Sequence, residues 1–306
     1  MKETYGYLLI IAASIVWGTM GIFGKLAFGY EIHPATLIAL RILISSSTIL
    51  MPITLFKKEL LRIQKRDLPQ FFVLGIFATA LQRIAYFYAV DLTTATMAAI
   101  LFYTYPIFVT IYSSLFLKEK VTLATVLAII LTFLGVALVV KVYEVSRLNA
   151  SLSGIFFGVV SSIFFALYFL TTKKLRNHYT NWTLILYGDG IGALALTPIV
   201  GFAFSEIISY PQQLWLLILA IAWIPSLLAY LLYSYALKHV ESSKGSILSV
   251  IEPLSAAFFS ATILRENFEP LQIIGVTLAL TGVLLLFYKP RFRNKNNHTV
   301  FSANKS

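Results

Sequence analysis

Residues 86–140 read YFYAVDLTTATMAAILFYTYPIFVTIYSSLFLKEKVTLATVLAIILTFLGVALVV. Residues 233–287 repeat the pattern of this stretch without a gap, 147 positions further along the chain. Both copies have a proline inside an apolar run, a glutamate where that run ends and a glycine in the next run. These residues are Pro106, Glu119 and Gly135 in the first copy and Pro253, Glu266 and Gly282 in the second. A repeat of about half the chain length indicates two copies of one structural unit.

The composition is that of a membrane protein. Hydrophobic residues make up 58% of the chain and charged residues 12%, with a mean hydropathy of +0.83, whereas a soluble domain carries about 25% charge. The absence of cysteine excludes disulfides and cysteine-ligated metals. The net charge of +11 comes from basic loops and a basic tail, so it does not predict a nucleic-acid partner.

Ten apolar stretches each approach the ~20 residues that a helix needs to cross a bilayer. They lack the alternation of barrel strands, so we predict an all-α integral membrane protein with ten transmembrane helices. The predicted spans are Tyr5–Phe28, Ala35–Phe56, Leu68–Val90, Thr94–Leu117, Val121–Val142, Leu152–Thr172, Trp182–Phe204, Leu214–Leu237, Ser243–Leu264 and Leu271–Tyr288.

The distribution of lysine and arginine predicts the orientation, because basic residues concentrate in cytoplasmic loops. With the N-terminus inside, the cytoplasmic loops, helix ends and C-terminal tail hold seventeen of these residues. The outer loops and helix ends hold only Lys25, Lys141, Arg147 and Arg265. We therefore expect a multi-pass protein of the cell (inner or plasma) membrane with both termini in the cytoplasm.

The repeat and the orientation together predict an inverted arrangement. Each half has five spans, and an odd number makes the second copy enter the membrane from the opposite side. Many secondary transporters are built from two such inverted five-helix repeats. The predicted division is 1–142 for the first repeat (spans 1–5), 143–151 for a linker, 152–288 for the second repeat (spans 6–10) and 289–306 for a basic cytoplasmic tail.

These features resemble the EamA branch of the drug/metabolite transporter superfamily. The resemblance rests on ten spans in two halves and on the repeated proline, glutamate and glycine, with Glu252 before Pro253 in the second half. Leu117-Lys118-Glu119 and Leu264-Arg265-Glu266 stand where that family usually has a Leu-Gly-Glu helix end, so the glycine is missing here.

The resemblance implies a fold and a transport class. Similar proteins export amino acids or other small metabolites, often with protons or by facilitated diffusion. The family fold implies a central cavity lined by spans 1, 3, 4, 6, 8 and 9, with spans 5 and 10 packed behind it. It does not indicate the substrate.

Polar residues inside the spans are the candidate pathway residues, because each needs water or a partner in the membrane. Span 3 places Thr79, Gln82, Arg83 and Tyr86 on one helix face, and span 8 carries a related stripe. The predicted substrate-binding residues are Ser14, Trp17, Gln82, Arg83, Tyr86, Tyr103, Ser226, Tyr230, Tyr233 and Ser249. For the serines, the alternative is that small residues only let membrane helices pack closely.

Arg83 is the strongest of these candidates. A guanidinium inside the membrane costs at least a few kcal/mol, so we expect it to face a cavity or a carboxylate. With tyrosine and tryptophan neighbours it suits an organic anion or zwitterion, such as an amino-acid carboxylate. We expect it to pair with the substrate or with Glu252.

Four acidic residues and a second arginine have different expectations. Glu252, beside Pro253, is the candidate proton-coupling residue, and the alternative is a glutamate that only brackets the proline break. Asp189 and Arg41 lie in spans 7 and 2, which the resemblance makes peripheral, so a structural role is favoured. Glu119 and Glu266 end helices, where we expect contacts with loop amides or basic side chains.

The sequence therefore predicts a secondary transporter, either an exporter or a permease, that alternates access to a central cavity, with proton coupling as one option. Alternatives are a facilitator for sugars or drug-like compounds and a non-transporting membrane scaffold. No histidine lies in a span, and no hydrolase, zincin or nucleotide-binding motif is present. We expect no enzyme activity, no cofactor and no metal. The expected partners are a small-molecule substrate and the lipid bilayer, with a monomer compatible with the sequence.

Overall fold

A computed structural model of the chain describes residues 2–93, 95–144, 151–263 and 269–286. Within these ranges the chain is helical and contains no strand. Glu266, most of the predicted linker and the predicted basic tail lie outside the described residues.

Ten apolar helices follow one another along the chain. Eight of them are long and apolar enough to cross a membrane, whereas α5 and α10 are shorter, with 17 and 16 residues. The helices are α1 (Glu3–Phe28), α2 (Pro34–Phe56), α3 (Lys65–Leu92), α4 (Met97–Phe116), α5 (Leu123–Val139), α6 (Leu152–Leu175), α7 (Asn181–Phe202), α8 (Gln212–Ala236), α9 (Ser242–Ile263) and α10 (Pro270–Leu285). The predicted all-helical, multi-span membrane fold is confirmed, and the count of ten spans stays a prediction.

Helices α4 and α9 are interrupted at corresponding places. In α4 the helical hydrogen bonding breaks between Phe102 and Tyr105, and in α9 between Leu248 and Ile251. Each break comes just before a proline of the repeat, because proline lacks an amide donor and cannot continue the preceding turn. Helices α3 and α8 also correspond, since each contains a π-helical segment, at Val73–Leu81 and at Ala222–Leu228.

The helices pack in pairs that mirror each other between the two halves. Helix α2 packs against α7, and α5 against α10. Helices α3 and α4 both pack against α6. In the other half, α8 and α9 correspondingly pack against α1. The two-repeat division stays a prediction.

The contact between α5 and α10 is unusually close because glycines face each other in it. A Cβ atom on Gly135 would lie 2.5 Å from the backbone nitrogen of Ala279 and 2.6 Å from the carbonyl oxygen of Gly275. Small residues let membrane helices approach to backbone contact, so this pair forms a compact unit.

The bundle has two distinguishable ends. At the N-terminal end, Gly6 packs against His239 and Val240. At the opposite end, Ser151 donates a hydrogen bond to the carbonyl of Leu92. The positive-inside pattern predicts that the N-terminal end is cytoplasmic.

Candidate substrate cavity

A cavity of about 600 Å³ lies between the helices. It reaches the end of the bundle opposite the N-terminus, where Phe28, Pro34 and Val90 line it. Its wall is mainly aromatic and aliphatic, and three charged side chains contribute to it: Arg41, Arg83 and Glu252. A concave, largely apolar site with a few convergent polar groups is the usual form of a small-molecule site.

Aromatic rings close the cavity towards the N-terminal end. Trp17, Phe165 and Tyr230 line the cavity, and the rings of Trp17 and Tyr230 meet edge to face at 5.0 Å. Beneath them, the fully buried rings of Tyr105 and Tyr233 pack on the ring of Phe169, at 5.3 and 5.2 Å. Aromatic pairs prefer such edge and offset contacts, and these buried rings form the aromatic floor of the cavity.

Arg83 is held at this cavity by neutral groups. Its Nη1 donates to the carbonyl oxygen of Thr79 at 2.6 Å, and its Nη2 donates to the hydroxyl of Tyr230 at 3.1 Å. The π-helical segment in α3 comes just before Arg83, and such segments are frequent at functional sites. Within the described part of the chain, Arg83 forms no salt bridge, so the expected pairing with Glu252 is not seen.

Arg41 also faces the cavity, although the family resemblance predicted a peripheral position for its helix. Its Nη1 donates to Ser226 Oγ at 3.3 Å and contacts Met20 Sδ at 3.6 Å. Helix α2 reaches the cavity because α8 packs on it at the π-helical segment. The cavity therefore contains two guanidiniums rather than one. The sequence could have identified Arg41 as a cavity residue in the same way as Arg83, since both are cations inside an apolar span.

Glu252 lies in the first turn of the helical segment Ile251–Ile263, just beyond the break in α9. A carboxylate is favoured there by the amide dipoles at the start of the helix. Its backbone amide bonds to the carbonyl of Ser249, and its side chain faces the cavity. Among the described residues its carboxylate has no hydrogen-bond or salt-bridge partner, so it is open to a ligand.

The other predicted residues on the cavity wall are polar and aromatic. Gln82 donates to Ser161 Oγ at 3.2 Å, which orients its amide. Tyr86 and Tyr103 flank Phe102, with ring centres 5.3 and 5.5 Å from it. Seven predicted residues thus meet at one cavity: Trp17, Gln82, Arg83, Tyr86, Tyr103, Tyr230 and Glu252.

Four predicted residues lie behind the wall instead. The hydroxyls of Ser14 and Ser249 donate to carbonyls of their own helices, at 2.8 and 2.9 Å. This intrahelical bond satisfies a serine without a ligand. Ser226 accepts the bond from Arg41, and Tyr233 belongs to the aromatic floor. Binding roles for these four would be indirect.

Asp189 lies outside the main cavity but close to its arginines. Ser45 Oγ donates to Asp189 Oδ2 at 2.9 Å. Asp189, Thr79 and Tyr230 line a second, internal cavity of about 10 Å³. Arg83 donates its hydrogen bonds to the same Thr79 and Tyr230, so these two residues connect the surroundings of Asp189 with the guanidinium.

The N-terminal end is closed by a capping carboxylate. Glu119, just after α4, accepts hydrogen bonds from the amides of Ser242 and Ser243 at 2.8 and 3.1 Å and from Ser243 Oγ at 2.7 Å. The predicted contact of Glu119 with backbone amides is therefore present, here at the start of α9. Lys173 Nζ also donates to the carbonyl of Val240. Below the aromatic floor, Glu119 thus joins α4 to α9, and Lys173 joins α6 to the segment between α8 and α9.

Known proteins resemble the chain along most of its length. A sequence model of the EamA-like transporter family matches residues 4–141 and again residues 152–288. An uncharacterized transporter of Archaeoglobus fulgidus is 32% identical over 202 residues, which cover 66% of this chain and 70% of that protein. The uncharacterized transporter YetK of Bacillus subtilis is 27% identical over 296 residues, covering 95% of this chain and 89% of that protein. A solved crystal structure with 16% identity superposes with a TM-score of 0.74 and covers 92% of this chain and 96% of its own, which shows a shared fold.

Proposed function

We propose that this chain, which belongs to the EamA-like transporter family, is a secondary transporter of small zwitterionic metabolites such as amino acids. Membership in the family makes the protein a membrane transporter; the substrate class and the mechanism are the proposal. The observation that carries it is the charge pattern of the cavity. Two guanidiniums, Arg41 and Arg83, and one carboxylate, Glu252, face the same space without forming salt bridges among the described residues.

This pattern is complementary to an amino acid. A guanidinium presents planar pairs of donors that match a carboxylate, and Glu252 offers an acceptor to an ammonium group. The apolar rings and aliphatic side chains between them suit a hydrocarbon side chain. A volume of about 600 Å³ lies within the usual range of about 300–1,000 Å³ for small-molecule pockets.

Three features support alternating access by an inverted repeat. Discontinuous helices at corresponding positions surround the substrate sites of many such transporters. Here α4 and α9 are interrupted and α3 and α8 are π-helical at corresponding positions. The cavity is open towards one end, and Glu119 and the aromatic floor close the other. With the predicted orientation, this is the outward-facing state.

Proton coupling through Glu252 is part of the proposal. It is the one acidic side chain on the cavity wall in the described part of the chain. A group whose charge state differs between the two access states can couple transport to a proton gradient. The carboxylate is placed to bind either a substrate ammonium or a proton, and competition between the two would link their movements.

Exchange in proteoliposomes tests the proposal. The purified protein is reconstituted with an unlabelled amino-acid mixture inside, and uptake of each radiolabelled amino acid is measured with and without an imposed pH gradient. We expect saturable exchange of at least one amino acid. In the same assay, Arg83→Ala should lose exchange. Its matched control is Arg62→Ala, at an exposed position, which should retain full exchange.

Absence of exchange for every amino acid would contradict the proposed substrate class. Chemical conversion of an amino acid by the protein in detergent, where there are no sealed vesicles, would indicate an enzyme instead of a transporter.

A further inference from the structure

Asp189 is a buried acid that the proposed transport cycle does not use. It sits in the middle of α7 and is 8% exposed. Its only hydrogen bond among the described residues comes from Ser45, and it forms no salt bridge there. A buried carboxylate is costly unless opposite charge lies nearby, so we expect cations close to Asp189.

Those cations are the two arginines of the cavity. Thr79 and Tyr230 line the internal cavity beside Asp189, and the same two residues accept hydrogen bonds from Arg83. Arg41 lies on the same helix as Ser45, one turn away. The carboxylate thus lies near both guanidiniums, beside Thr79 and Tyr230 that Arg83 contacts and one helical turn from Arg41 through Ser45, and the opposite charges attract. In a low-dielectric interior such an interaction is effective without contact.

We infer that Asp189 sets the number of carboxylates that the cavity accepts. This inference rests on the proposed binding of zwitterions. The two guanidiniums carry two positive charges, and Asp189 offsets one of them from behind the wall. One positive charge remains for a substrate carboxylate, while Glu252 takes the ammonium group. The site is then balanced by a substrate with one carboxylate and one ammonium, that is, a neutral zwitterion.

The same charge count predicts what happens when Asp189 is neutralised. In Asp189→Asn the amide oxygen can still accept the bond from Ser45, but the negative charge is lost. The cavity then has one uncompensated guanidinium, which favours a substrate with a second carboxylate. Asp189 is therefore a specificity-determining residue that acts through the arginines and does not touch the substrate.

Binding of glutamine and glutamate provides the test, because these amino acids have the same shape and differ by one carboxylate charge. Affinities are measured on the purified full chain by tryptophan fluorescence, since Trp17 lines the cavity. We expect the wild type to prefer glutamine. Asp189→Asn should shift the ratio of the two dissociation constants at least ~10-fold towards glutamate. Ser45→Ala, which removes the hydrogen bond but keeps the charge, should leave the ratio nearly unchanged.

A double variant separates charge from structure. If Asp189→Asn unfolds or binds neither amino acid, Asp189→Asn with Arg41→Gln restores the charge balance and should restore binding of glutamine. An unchanged ratio in Asp189→Asn, an equal shift in Ser45→Ala, no rescue in the double variant, or a wild type that binds neither amino acid would overturn the inference. Normal binding without exchange in vesicles would contradict the proposed transport and leave this inference standing.

Discussion

Arg83 donates a hydrogen bond to the hydroxyl of Tyr230 at 3.1 Å, and the two residues occupy the same position in the two copies of the repeat, 147 residues apart. The guanidinium carbon also lies 5.7 Å from the centre of the Tyr230 ring. Two arginines in these places would repel each other, whereas a cation and a phenol attract. The corresponding positions of the two copies therefore hold different residues, and the wall of the cavity is asymmetric here.

Removal of the Arg83 guanidinium should abolish exchange. Arg83→Ala removes a planar pair of donors from the cavity, and Arg83→Lys should restore little because an ammonium is a point charge. We expect a loss of at least ~100-fold, the size of a lost charged contact of about 3 kcal/mol. Exchange in proteoliposomes is the measurement, with surface expression as the check on folding. Full activity of Arg83→Ala would remove this residue from the site.

Tyr230→Phe should have a smaller effect than Arg83→Ala. The substitution keeps the ring that packs on Trp17 at 5.0 Å but removes the acceptor that orients Arg83. We expect exchange to be retained with an affinity lowered by roughly 3- to 10-fold, about the net value of one ordinary hydrogen bond, because Arg83 keeps its bond to the carbonyl of Thr79. Substrate titrations of exchange measure it, and a loss as complete as that of Arg83→Ala would assign Tyr230 a direct role.

Glu252→Gln should separate exchange from proton-driven accumulation. Glutamine keeps the shape of the side chain and can still accept a hydrogen bond, but it cannot titrate. If coupling uses this residue, the variant still exchanges labelled for unlabelled substrate and no longer accumulates substrate under a pH gradient. The measurement compares both modes in the same vesicles. Accumulation with an unchanged pH dependence would make Glu252 a structural bracket for the break before Pro253.

Weakening the Glu119 cap should open the N-terminal end. In Glu119→Gln, the side-chain NH2 group replaces one of the two oxygens that accept hydrogen bonds from Ser242 and Ser243. The closed state of this end therefore loses stability, and its population falls. The chain has no cysteine, and a Cβ atom on Gly21, in the cavity wall, has no neighbour within 4 Å. Gly21→Cys therefore reports access.

The cysteine of Gly21→Cys should react with an impermeant thiol reagent applied from outside when the rest of the protein is wild type. Adding Glu119→Gln should slow this labelling, because fewer molecules then have the cavity open to the outside. The matched control is Glu59→Gln, an exposed glutamate near the same end. Equal labelling rates in all three proteins would show that Glu119 does not govern closure.

Reporter fusions test the predicted orientation. Fusions after Lys65 and after Lys295 should report a cytoplasmic location, and a fusion after Glu206 an external one, because seventeen basic residues lie on one predicted side and four on the other. The loops that contain Glu119 and Glu266 should lie on opposite sides. The same location for both loops would contradict the inverted repeat.

Gly135→Ala should destabilise the pair formed by α5 and α10. The added methyl group would lie 2.5 Å from the backbone nitrogen of Ala279, so the helices must separate. Overpacking of this kind costs roughly 1–3 kcal/mol. Thermal unfolding in detergent measures it, with Gly190→Ala as control because a Cβ there has no neighbour within 4 Å. Equal melting temperatures of the two variants would contradict the close contact.

The sequence by itself determined the class of the fold and the interruption of α9 beside Pro253. Both are local properties, since about twenty apolar residues need a helix to cross a bilayer and a proline breaks the helix that precedes it. Pro253 thus predicted the break in α9, and Pro106, its counterpart in the repeat, follows the matching break in α4. The position of a charged residue inside an apolar span also predicted that Arg83 faces the cavity, because a guanidinium in the membrane needs a polar environment.

Only the tertiary structure decided which polar side chains face the cavity. Ser249 and Tyr233 share helix faces with cavity residues, yet one bonds to its own helix and the other packs into the aromatic floor. Arg41 reaches the cavity because Ser226, 185 residues away, holds its guanidinium. The rotation of each helix follows from its packing partners, and those partners are set by contacts between residues far apart in the chain.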